Sequence, residues 1–165
     1  MRIAMIFARS TAAAVLFWVA SIAVIEGGGS GCAPFPFPPE AFARQLLGEN
    51  EVPPHSTTGY GYGSYKLSED GTQLSFVITA SELSGPVTAA HFHNAQASIA
   101  GPVVLDLAPF LTEVDGQVAV AGFSSLADWS IENVTEEVRA GRIYVNLHTA
   151  AYPDGEIRGL VILSE

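Results

Sequence analysis

Residues 87 to 94 read Val-Thr-Ala-Ala-His-Phe-His-Asn, and their alternation decides what kind of fold this chain can form. In an extended strand successive side chains point to opposite faces. His91 and His93 therefore share one face, while Ala90 and Phe92, with Thr88 and Asn94, share the other. Phe92 is the natural core residue. A second stretch, Tyr-Val-Asn-Leu-His-Thr at 144 to 149, reads the same way, with Val145 and Leu147 on an apolar side and Tyr144, Asn146 and His148 opposite. Three of the four histidines thus project away from the hydrophobic side. If the two strands lie close together, three imidazoles converge on one spot, which is what a bound transition metal requires. Imidazoles without thiolates suit copper or zinc, with Tyr144 and Asn146 as neighbours that support the ligands or as plain surface residues. The competing account is that each histidine hydrogen-bonds a nearby carbonyl or carboxylate.

Working outward, the same short runs bounded by turn residues recur at 42 to 47, 59 to 67, 73 to 80, 103 to 107, 118 to 124, 142 to 148 and 156 to 163. With 87 to 94 they predict about eight strands, an all-β antiparallel Greek-key sandwich or barrel. Ser68-Glu69-Asp70-Gly71 and Asp115-Gly116 are hairpin turns whose glycines can take positive φ. One short helix is expected over 133 to 140, with Asn133 capping it, Glu136 three residues later as in a capping box, and Gly141 ending it. Pro153-Asp154-Gly155 is a tight turn, and Glu156 and Arg158, alternating on one strand face, can pair.

The chain has 165 residues and a formal charge of −10, enough for one domain with a real core and the wrong sign for nucleic acid. Arg2 and Arg9 precede an uncharged apolar stretch from 11 to 25, the pattern of an export signal rather than a spanning helix. Ser30-Gly31-Cys32 is similar to a bacterial lipoprotein cleavage site, although Gly29 stands where such sites usually carry an aliphatic residue. Residues 1 to 31 are expected to be a signal peptide, with Cys32 as the point of lipid attachment. Residues 32 to 40 form a stiff proline-rich spacer and 41 to 165 the β domain. Cys32 is the only cysteine, so no intramolecular disulfide is available. The expected location is the periplasm or cell surface, with contact to the membrane only through the lipid.

Together, Gly-Glu-Asn-Glu-Val-Pro-Pro at 48 to 54, Ala-His-Phe-His-Asn-Ala at 90 to 95, Gly-Pro-Val-Val-Leu-Asp-Leu at 101 to 107 and the run from Ala140 to Gly159 resemble the CHRD domain. This module was first described in chordin and occurs in many exported bacterial proteins. The likeness spans most of 42 to 163. Phe92 stands where the family commonly has isoleucine, a conservative change in the core-facing slot, and His55 falls outside the family pattern and inherits no role. The resemblance implies a domain, not a reaction. The two-residue histidine spacing is also remotely similar to the copper site of Cu,Zn superoxide dismutase, but this chain lacks that enzyme's cysteine pair and histidine-rich loop. No nucleophile elbow, zinc-protease helix, phosphate loop or Cys-x-x-Cys is present, so no catalytic residue is expected. The expectation is a non-catalytic extracytoplasmic module that binds a protein or small ligand. The alternative is a small metalloprotein holding copper or zinc on His91, His93 and His148.

Overall fold

The computed structural model describes residues 45 to 164, so the expected leader and proline-rich spacer, with Cys32, lie outside the described residues. The strands are β1 (Gln45–Leu47), β2 (Tyr60–Leu67), β3 (Gln73–Ser81), β4 (Val87–Asn94), β5 (Val103–Asp106), β6 (Leu111–Val114), β7 (Gln117–Ser125), β8 (Ile143–Thr149) and β9 (Ile157–Leu160), with one helix, α1 (Val134–Arg139). All nine belong to one sheet in the order β5-β4-β8-β9-β1-β2-β3-β7-β6, and every neighbouring pair is antiparallel. β3 crosses over to β4, and β7 crosses back to β8, as in Greek-key connections. The two outermost strands, β5 and β6, are consecutive in the chain and joined only by Leu107 and the 3-10 turn Ala108–Phe110. The sheet must therefore curl until its edges approach, giving an open half-barrel around one core.

That core is built by the inward positions of alternating strands. β3 shows strict alternation, with Leu74, Phe76, Ile78 and Ala80 buried and the residues between them exposed. Phe92 is fully buried at its centre, stacked on Trp129 at 5.1 Å and edge-on to Phe76 at 5.4 Å and Tyr65 at 6.2 Å. Val145 and Leu147 are likewise fully buried, as the alternation predicts. Burying one such side chain stabilises the fold by about 1.5 to 3 kcal/mol, so this inner face is ample reason for the register the strands adopt.

Three local expectations need correction. β6 was not foreseen as a strand, because Leu-Thr-Glu-Val offers one half-buried leucine and three exposed residues and so carries no burial alternation. Its pairing is dictated instead by the turn: Asp115 and Gly116 both take left-handed φ, 51° and 74°, which folds Val114 back onto Gln117. Asn133 does not cap α1 with its side chain; it sits at φ 56°, and its backbone carbonyl accepts from Glu136 and Glu137. Asparagine tolerates that conformation, so the backbone turn replaces the side-chain cap. Gly141, at φ 67°, does end the helix. Glu156 and Arg158 do not pair, since each is buried among different partners, described below.

Candidate metal centre

The β4–β8 ladder sets the geometry. His91 lies opposite Asn146, His93 opposite Tyr144, and Ala89 opposite His148, so all six share the outer face of the sheet. This face is not open to solvent as a simple inside–outside alternation would have it. Every residue of β8 is buried, Tyr144 and Asn146 included. The segment after β4 folds back over the sheet, held by Nη2 of Arg158 donating to the carbonyls of Gln96 at 3.3 Å and Ile99 at 2.9 Å. The turn before β9 covers the other end.

The structure brings His91, His93 and His148 together, with one ring nitrogen of each within 4.8 Å of the others. His93 is 8% exposed and His148 9%, while His91 is half-buried. Their tautomers follow from their backbone contacts. Nδ1 of His93 lies 2.9 Å from the Gly101 carbonyl and Nδ1 of His148 lies 2.9 Å from the Pro153 carbonyl. A carbonyl only accepts, so both Nδ1 atoms carry hydrogen, which in the neutral ring leaves Nε2 as the nitrogen with the lone pair. Nε2 of His93 is buried and has no hydrogen-bond partner. Nε2 of His148 lies 3.2 Å from Nδ1 of His91 and 3.0 Å from Oδ1 of Asn146, an oxygen that only accepts, so a lone pair on this nitrogen requires the Asn146 amide to turn its NH₂ group towards it.

Two nitrogens bound to one ion at roughly 2.0 to 2.1 Å sit about 3 to 3.5 Å apart, so the His91–His148 pair already has that spacing. The three nitrogens lie within 4.8 Å of one another, so the His93 ring must move closer for all three to share one ion. Burial pushes the His93 and His148 imidazoles below their ordinary value, and the neighbouring imidazoles reinforce this for both. They are thus neutral at pH 7, the form in which imidazole binds a metal. Each ring is held by a second contact in the way metal-ligating histidines commonly are, through the nitrogen that faces away from the cluster.

Tyr144 and Asn146 belong to this site rather than to a solvent-facing surface. The Tyr144 ring stacks on His93 at 4.8 Å between centroids and 8° between planes, and its hydroxyl accepts from the Gly101 backbone N–H at 3.0 Å. Gly101 thereby links the phenol to the imidazole, its N–H on one and its carbonyl on the other. The Arg158 guanidinium lies 3.4 Å above the Tyr144 ring. Glu51 is 6% exposed, and burial raises its carboxyl to about 7 against the opposing pull of Arg158. Gly155, at φ 130°, lies so close to the Glu51 carboxyl and the Asn146 amide that any side chain there would collide with both.

Sequence reasoning reached the three histidines and their two strand neighbours but not Gly101, Pro153 or Glu51. The first two act through backbone carbonyls, which no side-chain pattern reveals. Glu51 sits in the quoted 48 to 54 motif, yet its neighbours at Asn146 and Gly155 are distant in sequence. His55 lies apart from the cluster. Its Nε2 is 3.0 Å from the Glu156 carbonyl, and its ring stacks on Tyr152 at 4.4 Å.

Comparison with known proteins agrees with the motifs. No curated protein and no solved structure matches the chain. The family model of the CHRD domain matches residues 42–161, nearly the whole of the β domain. The chain belongs to the CHRD-domain family.

Proposed function

We propose that this chain is a transition-metal-binding module that holds copper or zinc on His91, His93 and His148. The observation that carries the reading is the buried Nε2 of His93, a lone pair with no hydrogen-bond partner, pointing into a cluster where two other imidazole nitrogens already stand at ligand spacing. A buried polar atom left unsatisfied costs about 1 to 3 kcal/mol, and a cation would convert that cost into a bond. Purely structural histidines would be expected to have both nitrogens satisfied. The decisive experiment is elemental analysis and titration of the purified full chain beside a variant carrying His91→Ala, His93→Ala and His148→Ala. About one equivalent of copper or zinc per parent chain is expected, with stoichiometric binding lost in the variant. Equal binding by both would sink the proposal.

Binding rather than catalysis is the proposed role, since none of the common enzyme signatures accompanies the histidines. The leader supports placement outside the cytoplasm, in the periplasm or at the cell surface. Cys32 is the proposed lipid attachment point, and Cys32→Ala should release the processed protein from membranes. Retention of that variant after leader removal would argue against the anchor.

A further inference from the structure

The three-histidine reading has a corollary in the charge behind it. We propose that the site selects cuprous copper over cupric copper and zinc, and that Arg158 is the residue that sets this preference. Imidazole is an uncharged ligand in the form that binds a metal, and among the described residues no carboxylate joins the cluster. Nothing within ligand reach therefore offsets the charge of the ion.

Arg158 adds a fixed positive charge. β8 lies between β4 and β9 in the sheet, so Tyr144 separates His93 on one side from Arg158 on the other. The guanidinium, the phenol and the imidazole form one stack, 3.4 Å from cation to ring and 4.8 Å from ring to ring. Arg158 is 2% exposed, and its two hydrogen bonds to the Gln96 and Ile99 carbonyls prevent it from swinging into water. A cation in that position is poorly screened by salt. Glu51 opposes it, but burial holds that carboxyl up at about 7, so it offsets the arginine only in part at neutral pH. Asp154, which acts on His148, and Asp106, paired across the ladder with His91, are both exposed and therefore screened by water.

A fixed charge on the order of 10 Å from the ion, at an effective dielectric constant of about 20, disfavours each added unit of ionic charge by about tenfold. Cuprous copper carries one unit fewer than cupric copper or zinc. It also accepts three nitrogen ligands, whereas zinc completes a fourth position.

The test measures affinities of the full chain for Cu(I), held reduced by ascorbate without oxygen and competed with bicinchoninate, and for Cu(II) and Zn(II) competed with chelators. The parent should favour Cu(I). Arg158→Gln should lower the ratio of Cu(I) to Cu(II) affinity by about tenfold. Arg158→Lys should keep the ratio near that of the parent while both affinities fall, because the charge remains but the two-carbonyl clamp does not. Glu51→Gln, measured at pH 8, should raise the ratio, and it decides the question alone if Arg158→Gln does not fold. A preference for Zn(II) or Cu(II) in the parent overturns the inference, as does an unchanged ratio in Arg158→Gln or Glu51→Gln. A parent that binds no more metal than the triple histidine variant overturns the three-histidine reading itself and this inference with it.

Discussion

His148 lies directly across the β4–β8 ladder from Ala89, and the small side chain there gives its imidazole room to lean along the strand to 3.2 Å from His91. Directly opposite residues on one sheet face normally fill the space between their strands. Here one member of the pair is a methyl group, so the ring settles on the diagonal neighbour instead. Ala89→Leu should therefore displace His148 while leaving the inner face of β4 untouched. Copper or zinc affinity is expected to fall by at least tenfold, with a thermal midpoint within a few degrees of the parent. Full affinity in Ala89→Leu, measured by chelator competition, would show that the cluster does not depend on this vacancy.

Glu51 gives a pH dependence whose sign can be worked out. Its folded value of about 7 lies above the ordinary 4.5, so between those limits the folded chain binds more protons than the unfolded one. Stability from this group is therefore full below about 4.5 and is lost as pH rises towards and through 7. Glu51→Gln removes that loss. Urea unfolding of parent and variant should differ little at pH 4.5, and the variant should gain on the parent by on the order of 2 to 3 kcal/mol at pH 8. A constant difference across that range would mean that the carboxyl is not held in its neutral form. His93 and His148, lowered rather than raised, contribute the opposite slope below about 6.5, but they are common to both proteins and cancel in the comparison.

How much of this was legible in the sequence depends on the range of the interaction concerned. Phe92, Val145 and Leu147 could be placed because alternation is local, and a one-residue error would have put histidines in the core. The convergence of His91, His93 and His148 needed one further assumption, that β4 and β8 are neighbours, and the ladder supplies it. β6 was missed because an outermost strand of the sheet with exposed side chains leaves no burial pattern, although the Asp115-Gly116 turn implied a partner for β7. The burial of Tyr144 and Asn146 could not be read at all. It depends on the segment 95 to 101 folding over the sheet under the Arg158 clamp, 57 to 63 residues away in sequence.

Glu156 is the residue for which local reading failed most, and it yields the last prediction. On alternation it belonged with Arg158 on one face, yet it is fully buried and makes no contact with that guanidinium. Its Oε1 accepts from the Thr57 hydroxyl at 2.7 Å and the Ser84 backbone N–H at 2.8 Å, while Oε2 accepts from the hydroxyls of Ser84 and Thr149, each at 2.7 Å. Burial alone would raise this carboxyl, but those hydrogen bonds outweigh it and hold it below its ordinary value. One carboxylate thus ties the segments before β2 and before β4 to the end of β8. Glu156→Ala would strand four donors, and Glu156→Gln would set an amide N–H₂ against groups that mostly donate. Both should be destabilised, the alanine variant by about 2 to 4 kcal/mol in urea unfolding. Metal affinity of the folded fraction should stay close to the parent, because Glu156 does not touch the histidine cluster. A stability change below about 1 kcal/mol in Glu156→Ala would show that this network is not formed as described.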